Sequence, residues 1–555
     1  RTQKIYYKIR IKNIGEVELT KNIKVPANLS VDDKVNKECI LNRYDKNIKS
    51  GEIVELTGEI PWKAVKGKHE LKAVFDVKNR IFEENEDNNE SKSIKIDVKD
   101  VEINIKEGEK FEIKISKSEK LEYNLTGYQV KEDQIQWSKE DEEKSFIEID
   151  SNGIIKANKK GEEVVYVKIK DTDILKTIKI IVKERLAVII VPGYLGSELY
   201  LNNKIVWPPD SISNFSENKN LTGIIDIRKD LQVIGCNSDG KSKKNIKVSS
   251  KDDYGTNDTY KTLIEYIKNH ENYKKNFDNI YFCSWDWRDL NLGVKQLDKL
   301  INSAKEEKIY IITHSTGGLV CSKYMSETEN ERVSKFIAVA SPFYGTPQIF
   351  EVMEEGKLDS FYKPVNIVEA LTYNFTVRGV LKDLLNNFKS SYQLLPGENY
   401  FKNSKYYLYG NSFETPLNYK KTENYLKSEH NKNLYTKNYE FQTDIDTDIY
   451  EEEYFYNIIG CSESTIGKFS DDSKEFDSLE KKKYIDGDGA IPVISSSLNG
   501  KTPKDRTYYV YDNDKNRELH GQLMWDKSVL NLIVNILVDK TDSFDKSVIK
   551  RKYQK

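Results

Sequence analysis

The stretch that decides the fold of the C-terminal part is Ile309-Tyr-Ile-Ile-Thr-His-Ser-Thr-Gly-Gly318. It begins as an apolar run, passes through His314-Ser315 and two glycines, and leads into an amphipathic stretch. This order predicts a buried strand, a sharp turn and a helix, with Ser315 at the turn. There the hydroxyl is lifted clear of the sheet, next to the free N–H groups that begin the helix. The pattern indicates acyl transfer through a serine ester; the alternative is a chance Ser-x-Gly turn.

A serine hydroxyl needs a base to take its proton and an acid to orient that base. Only five histidines occur in the chain, and His520 is the candidate because it follows the predicted strand Thr507–Tyr511. The alternative is a histidine in a surface loop. The acid should lie between the serine and the histidine, on a loop after a strand. In Tyr484-Ile-Asp-Gly-Asp-Gly489 the candidates are Asp486 and Asp488, and Asp488 is preferred.

An oxyanion hole needs two backbone N–H groups aimed at one point. Thr316, directly after the serine, is expected to supply one of them. Leu195 is expected to supply the other, from the loop that follows the apolar run Leu186–Val191. The glycines at 193 and 196 let this loop pass close to a reacting carbonyl. Two stretches without local similarity are therefore predicted to meet at one site.

The composition limits the function classes that this chain of 555 residues can belong to. Its length suggests about three domains. Charged residues make up 32%, but the net charge of −2 gives no general attraction to nucleic acid or anionic membrane. The mean hydropathy of −0.69 argues against a spanning helix. Five cysteines without regular spacing suggest neither a disulfide framework nor a zinc site. Because the chain opens with Arg1 in a strand-like segment, we expect a fragment or a processed form.

Changes in sequence pattern along the chain predict three domains. Residues 1–98 and 99–184 read as short strands separated by turns, which is typical of two β-sandwiches. From 185 to 555, apolar runs alternate with helical patterns, which indicates a mostly parallel sheet with helices on both faces. Polar inserts interrupt this pattern at about 210–251 and 399–450. Neither β unit has a cluster of titratable groups, so spacing and attachment are their expected roles.

Each β unit contains short motifs that point to a known domain. Lys12-Asn-Ile-Gly15 and Phe75–Asn89 in the first unit resemble the CARDB (cell-adhesion-related) domain. Trp137-Ser138, Asp150-Ser-Asn-Gly-Ile154 and Lys160-Gly-Glu-Glu-Val-Val165 in the second resemble the bacterial Ig-like group 2 domain. Calcium is one interpretation of the acidic run Glu83–Glu90, but a solvated turn is preferred because no spaced ligand loop accompanies it. Both resemblances imply a secreted or cell-surface bacterial protein.

A series of motifs runs through residues 186–555. They are Val191-Pro-Gly-Tyr-Leu-Gly-Ser197, Trp207-Pro-Pro209, Ser284-Trp-Asp-Trp-Arg288, Thr313-His-Ser-Thr-Gly-Gly318, Gly345-Thr-Pro347, Ser391-Tyr-Gln-Leu-Leu-Pro396, Asp486-Gly-Asp-Gly489 and His520. In this order they resemble the lecithin:cholesterol acyltransferase family, which includes phospholipid:diacylglycerol acyltransferases and lysosomal phospholipase A2. The resemblance implies an α/β-hydrolase that acts on acyl esters of lipids, with a lid at about 200–255 and a cap at about 350–450. It implies a triad of Ser315, Asp488 and His520, with Leu195 and Thr316 at the oxyanion hole.

The chain departs from the family pattern at two positions near the site. Thr313 replaces the glycine usual two residues before the serine, where a Cβ crowds the turn. Ala490 stands where the family often has threonine. The inserts are rich in Lys, Asn and Tyr, whereas a lid that grips membranes exposes apolar side chains. Ester chemistry is therefore better supported than long-chain lipid at an interface.

Trp207, Trp287 and Arg288 are further candidates for binding substrate. Trp207 either covers the acyl site from the lid or simply packs. Arg288 follows a strand end and suits a phosphate or carboxylate, although an ion pair with Asp286 is the preferred interpretation. The apolar stripe in Val365–Leu395 has the helical spacing of cap packing, and an acyl-chain groove is the alternative.

We therefore predict a serine acyl hydrolase or O-acyltransferase for lipid or lipid-like esters, working through an acyl-enzyme without metal or cofactor. Hydrolysis and transfer use the same residues and differ in how well the closed site excludes water. The expected partners are an acyl ester and an acceptor alcohol, without nucleic acid, and the β units offer attachment to the cell surface. The alternatives are an adhesin or cell-wall-binding protein with an inactive hydrolase domain, and a carboxylesterase of non-lipid esters.

Overall fold

The computed structural model describes residues 3–21, 27–40, 46–57, 62–77, 79–126, 134–208, 228–249, 254–356, 378–404, 408–410, 415–470, 482–511 and 519–554. The chain divides into two compact units, Arg1–Glu184 and Arg185–Lys555. Much of the predicted lid and part of the predicted cap lie outside the described residues. The same holds for the first part of the apolar stripe Val365–Leu395.

The N-terminal unit is rich in β-strands. Its strands are Gln3–Ile5, Lys8–Lys12, Asn28–Val31, Lys34–Ile40, Ile53–Thr57, Trp62–Ala64, Gly67–Val74, Ile94–Val98, Glu102–Ile105, Lys110–Lys114, Ser118–Lys120, Tyr123–Thr126, Ile135–Lys139, Ile147–Ile149, Ile154–Ala157, Gly161–Ile169 and Leu175–Lys183. The pairings are antiparallel, except that Lys110–Lys114 runs parallel to Leu175–Lys183.

Alternation along these strands builds small cores. In Gly161–Ile169, Val165 and Val167 are buried on one face while intervening side chains are more exposed, because successive side chains of a strand point to opposite faces. One core gathers around Leu29 and Trp62. A larger one takes in Val165 and Val167 with residues of the other strands from 102 to 183.

The C-terminal unit is built around one seven-stranded sheet. Its strands are β1 (Leu186–Val191), β2 (Asn279–Phe282), β3 (Lys308–His314), β4 (Val333–Val339), β5 (Phe455–Cys461), β6 (Thr507–Tyr511) and β7 (Ile549–Lys550). Their order across the sheet is β2-β1-β3-β4-β5-β6-β7. Neighbours are parallel except β6 and β7. The predicted parallel sheet with helices is confirmed, and it is the architecture of an α/β-hydrolase.

Helices cover both faces of this sheet. They include α1 (Lys261–Asn269), α2 (Leu290–Ser303), α3 (Gly317–Glu327), α4 (Gln348–Glu355) and α5 (Lys527–Leu537). Apolar side chains of α1 and α5 pack with Val188 and Ile190 of β1. Those of α2 and α3 pack with Ile189 and Val191, the alternate positions of the same strand. None of the described helices combines the length and the apolar character needed to cross a membrane.

Shorter elements connect these strands and helices. The helical ones are Thr256–Asp258, Glu271–Asn276, Arg378–Leu385, Lys389–Gln393, Glu398–Ser404, Tyr419–Glu429, Lys432–Asn438, Tyr439–Gln442, Thr447–Tyr450, Val493–Ser496, Leu498–Gly500 and Leu519–Gln522. The strands are Leu199–Leu201, Lys204–Trp207, Lys247–Val248, Leu408–Gly410, Thr415–Pro416, Glu463–Ser470 and Lys482–Gly487. Described residues of the predicted cap, such as Leu381 and Tyr435, belong to the same apolar core as α2 and α3.

Strand register brings the predicted loops together. Val191, the last residue of β1, pairs with Thr313 near the end of β3. His314 pairs with Val339, the last residue of β4. Because parallel strands place their carboxyl ends at one edge of the sheet, the loop after β1 starts beside the turn after β3.

Candidate active site

Ser315 lies in a strained turn between β3 and α3. Its φ is +52°, a region that non-glycine residues rarely occupy, and its N–H donates to the Val339 carbonyl at 2.8 Å. The helix begins at Gly317, so Thr316 stands at its N-terminus. A Cβ on Gly317 would collide with the backbone of Val191. The glycine therefore allows the helix to start against β1, as the nucleophile turn requires.

His520 and Asp488 form a buried hydrogen-bonded pair. His520 Nδ1 lies 2.9 Å from Asp488 Oδ2, and the residues are 7% and 1% exposed. The other carboxylate oxygen accepts the N–H groups of Ala490 at 3.0 Å and Ile491 at 2.7 Å. A carboxylate can only accept, so Nδ1 carries the proton and Nε2 of the neutral ring is left as an acceptor. Since Ala490 acts through its backbone, the threonine usual in the family is not needed for this contact.

Asp486 has a different environment. Its carboxylate accepts the Ser462 N–H at 2.6 Å and the Tyr553 hydroxyl at 2.5 Å. The structure thus brings Asp488, rather than Asp486, together with His520.

Ser315 and His520 line the same pocket. Apolar side chains make up much of the rest of its wall, namely Tyr194, Pro342, Ile349, Val352, Leu394, Ala490 and Ile491. The hydrogen bond between a nucleophile and its base is often long in an unliganded site and closes only when substrate binds. The shared pocket therefore gives the hydroxyl, the imidazole and an ester carbonyl a common place to meet.

The loop after β1 passes directly over the nucleophile. A Cβ on Gly193 would lie 2.9 Å from Ser315 Cβ. Leu195 has a φ of +61°, and its carbonyl accepts the Trp207 indole N–H at 3.0 Å and the Thr256 hydroxyl at 2.6 Å. These two bonds hold the carbonyl of Leu195, a residue with an unusual backbone conformation two positions after Gly193.

Trp207 and Trp287 support this loop and are not part of the pocket wall. Both are buried, and their rings meet edge to face with centroids 5.1 Å apart. The Trp287 indole N–H donates to the Ser197 carbonyl at 3.2 Å, as that of Trp207 does to Leu195. The pair therefore packs behind the loop that carries the predicted oxyanion donor.

Arg288 is buried in an ion pair. Its Nε and Nη2 donate to the two oxygens of Asp286 at 2.8 and 2.5 Å. Its Nη1 donates to the Ile234 carbonyl at 2.7 Å and to the Ser242 hydroxyl at 2.9 Å. The guanidinium is thus engaged by protein groups, and Arg288 does not line the pocket that holds Ser315.

Sequence patterns gave no role to a buried chain of hydrogen bonds beside the triad. The Gly193 N–H donates to the Tyr260 hydroxyl at 2.8 Å, and that hydroxyl lies 3.0 Å from His314 Nδ1. His314 Nε2 lies 3.1 Å from the His520 carbonyl oxygen. Burial, and then the charge of His520, lower the pKa of His314 to about 3. In the sequence, the only sign that His314 belongs to this site is its position next to Ser315. Nothing in the sequence pointed to Tyr260.

Metal ligands are not gathered in the part of the chain that the structure describes: no group of three or more His, Cys, Asp or Glu there is placed to hold an ion. The groups just described are a serine in a strained turn, a histidine oriented by a buried carboxylate, and two backbone N–H groups that are candidate oxyanion donors. Acyl transfer is the chemistry that this set of groups can carry out.

Each of the two units matches a known protein family. Residues 1–93 match the CARDB family. Phospholipase A(1) LCAT3 of Arabidopsis thaliana is 31% identical over 134 residues, which are 22% of this chain and 28% of that protein. The chain thus spans less than a third of the length of this relative.

Solved structures are similar at low identity. The Tle4–Tli4 complex matches 65% of this chain and 99% of its own, with a TM-score of 0.45 and 13% identity. The CARDB domain of the PF1109 protein from Pyrococcus furiosus, solved with di-metal ions, matches 17% of this chain and 74% of its own, with a TM-score of 0.14 and 18% identity. Residues 246–549, more than half of the chain, match the lecithin:cholesterol acyltransferase family, and the chain belongs to that family.

Proposed function

We propose that this chain is a serine-dependent acyl hydrolase or O-acyltransferase that acts on lipid or lipid-like esters through an acyl-enzyme. The observation that carries the proposal is the 2.9 Å contact between His520 Nδ1 and Asp488 Oδ2. It leaves the imidazole Nε2 free to accept a proton in the pocket that Ser315 also lines. Membership of the lecithin:cholesterol acyltransferase family supports lipid esters as the substrate class.

In the first half of the reaction, Ser315 Oγ bonds to the ester carbonyl carbon while His520 Nε2 takes the hydroxyl proton. The carbonyl oxygen becomes an oxyanion that the N–H groups of Leu195 and Thr316 bind. His520 then gives the proton to the leaving alkoxide oxygen as the ester C–O bond breaks, which leaves an acyl-enzyme. Asp488 stays ionised throughout and stabilises the imidazolium.

In the second half, water or an acceptor alcohol gives its proton to His520 and attacks the acyl carbon. The bond to Ser315 Oγ breaks, and the serine regains its proton from the imidazole. Water yields an acid, and an alcohol yields a new ester. The ratio of the two products in the presence of an added alcohol measures how well the closed site excludes water.

The wall of the pocket supports an apolar acyl group. Ile349 and Val352 from α4 face the pocket together with Leu394 and Ile491. Pockets lined by apolar side chains with a few polar groups bind ligands of the same character. A chain-length series of nitrophenyl esters separates a lipid enzyme, which prefers longer acyl chains, from a carboxylesterase of short or non-lipid esters.

A fluorophosphonate probe tests serine dependence directly. We expect the wild type to be labelled and Ser315→Ala to be unlabelled while it keeps its fold. Ser326→Ala is the matched control, because Ser326 lies on the same helix α3 and its hydroxyl accepts the Asp446 N–H. A folded wild type that resists labelling would contradict the proposal and favour an adhesin with an inactive hydrolase domain.

For the N-terminal unit we propose two β-sandwich modules, a CARDB domain at 1–98 and a bacterial Ig-like group 2 domain at 99–184. They would space or attach the enzyme at the outer surface of a bacterial cell. The CARDB match and the mostly antiparallel strand pairings of both stretches support this assignment. Fractionation of producing cells tests it, and recovery of the full chain in the cytosol would contradict it.

A further inference from the structure

We infer that His314 is a positioning residue. Through hydrogen bonds of fixed direction it links the oxyanion loop, residues 192–198 after β1, to the base turn, the helical turn Leu519–Gln522 that carries His520. The inference rests on the proposed triad and adds to it a residue that neither touches substrate nor exchanges a proton. It stands on the buried series Gly193, Tyr260, His314 and His520, in which successive contacts measure 2.8, 3.0 and 3.1 Å.

The donors and acceptors in this series allow only one arrangement. A backbone N–H can only donate, so the Tyr260 oxygen accepts from Gly193. The single hydroxyl proton of Tyr260 is then directed at His314 Nδ1, which must be unprotonated. At the other end a carbonyl can only accept, so His314 Nε2 must carry the proton that it donates to His520. His314 is therefore a neutral imidazole protonated at Nε2.

Burial keeps the ring in that state. His314 is 7% exposed, and its pKa of about 3 leaves it neutral at physiological pH. Its centroid lies 4.9 Å from that of His520. In the proposed mechanism His520 gains a proton twice per turnover, and a charge on His314 would oppose this. A neutral donor fixes the base turn, Leu519–Gln522, without that repulsion.

Both ends of the series act on catalytic groups. Gly193 precedes Leu195 by two residues, in a turn closed by the bond from the Gly196 N–H to the Gly193 carbonyl at 3.0 Å. Fixing Gly193 therefore fixes the direction of the Leu195 N–H. At His520, the carbonyl is held by His314 and the N–H by the Asp488 carbonyl at 3.0 Å. Both backbone polar groups of His520, its N–H and its carbonyl, are thus hydrogen-bonded, which fixes the backbone that carries the imidazole.

Kinetics with three variants test the inference. Tyr260→Phe removes the middle hydroxyl, His314→Leu removes both ring nitrogens, and His314→Gln keeps a donor near the position of Nε2. We expect the first two to lower kcat on a nitrophenyl ester, and the rate of fluorophosphonate labelling, by about 10- to 10²-fold with little change in KM. His314→Gln should recover most of the kcat that His314→Leu loses, because it restores the hydrogen bond to the His520 carbonyl in the base turn.

Tyr508→Phe is the matched control for loss of a buried hydroxyl. Tyr508 is fully buried and donates to the Thr541 carbonyl at 2.9 Å, outside this series. We expect it to lower the unfolding temperature and leave kcat unchanged. The inference is overturned if Tyr260→Phe behaves like Tyr508→Phe, or if it raises KM at constant kcat.

Nitrogen NMR of histidine-labelled protein gives a readout that needs no activity. The His314 signals are those missing from the His314→Gln spectrum. We expect a neutral ring with its proton on Nε2 that does not titrate between about pH 5 and pH 8. A ring that titrates in this range, or that carries its proton on Nδ1, overturns the inference. A wild type that shows the expected His314 signals but does not react with the fluorophosphonate probe would instead refute the proposed function.

Discussion

The two units of the chain place their polar side chains in opposite ways. In the N-terminal unit, charged groups pair across strands in water, as Lys8 does with Glu55 at 2.7 Å and Lys156 with Glu148 at 3.2 Å. In the C-terminal unit, polar groups are buried at the carboxyl ends of the strands. His314, Ser315, Asp488 and His520 are each at most 7% exposed.

This difference distinguishes side chains that bear on stability from side chains that are candidates for a functional site. Exposed ion pairs contribute little to stability, so the N-terminal strands depend on their apolar alternation. Burying a polar group costs free energy unless each donor and acceptor is bonded, and concentrated burial of bonded titratable groups is typical of functional sites. The proposed catalytic function is therefore assigned to the C-terminal unit, and three experiments test how sharply the units differ.

The largest expected effect is the loss of the buried acid. In Asp488→Asn, the amide that faces His520 favours the wrong imidazole tautomer, and we expect kcat to fall by about 10⁴-fold. Asp486→Asn is the matched control, because that carboxylate accepts from Ser462 and Tyr553 and not from the base. Steady-state kinetics of both variants check this; equal losses of kcat would contradict the assignment of Asp488.

A smaller effect is expected from the tryptophan behind the oxyanion loop. Trp207→Phe removes the indole N–H that the Leu195 carbonyl accepts. We expect kcat to fall about tenfold, less than the roughly 10²–10³-fold that loss of an oxyanion donor costs. Trp62→Phe, in the core of the N-terminal unit, should lower stability by about 1 kcal/mol and leave kcat unchanged. If kcat fell in Trp62→Phe and not in Trp207→Phe, the N-terminal unit, and not the loop after β1, would affect catalysis, contrary to the comparison.

The smallest effect is one of stability against pH, and its sign differs between the units. An unfolded histidine has a pKa of about 6.5, whereas burial lowers that of His314 to about 3. Below about pH 6.5 the unfolded chain therefore binds a proton that folded His314 does not. The C-terminal unit should lose about 1.4 kcal/mol per pH unit, or about 2 kcal/mol at pH 5.

His69 in the N-terminal unit has the opposite shift. Its hydrogen bonds to Asp32 and to the Val65 carbonyl raise its pKa. The stability it contributes is therefore present below about pH 6.5 and is lost as the pH rises through its folded pKa. Calorimetry at pH 5 and pH 7 of the wild type, His314→Gln and His69→Gln checks both signs. An unchanged pH slope in His314→Gln would contradict the buried neutral ring.

Sequence patterns predicted most of the central sheet but missed two of its strands, β5 and the short edge strand β7. The apolar runs within β1, β2, β3, β4 and β6 were recognisable, because strands buried on both faces read as near-continuous apolar stretches. Phe455–Cys461 was missed, since Asn457 interrupts it. In the fold this asparagine is fully buried and donates to the Ser496 carbonyl at 2.8 Å. The partner that makes a polar residue acceptable in this strand comes from a distant segment.

The choice between Asp486 and Asp488 shows the same limit. They lie two residues apart in one glycine-containing stretch, and either carboxylate suits a triad by composition. His520 Nδ1 meets Asp488 Oδ2 from 32 residues away, while the hydroxyl of Tyr553, 67 residues away, donates to Asp486. Contacts from separate parts of the chain, and not the local pattern, assign the two carboxylates.

By itself the sequence determined the nucleophile turn, the alternation of strands and helices, and the identity of Ser315 and His520 as candidates. Those features follow from local sterics: an apolar run, a tight turn and glycines where a Cβ would collide. The tertiary structure alone decided that Asp488 and not Asp486 meets His520, that the Trp207 indole binds the Leu195 carbonyl, and that His314 is buried between Tyr260 and the His520 carbonyl. Each of these depends on which distant donors and acceptors are buried together, because hydrogen bonds in a closed core are set by packing and not by neighbours in sequence.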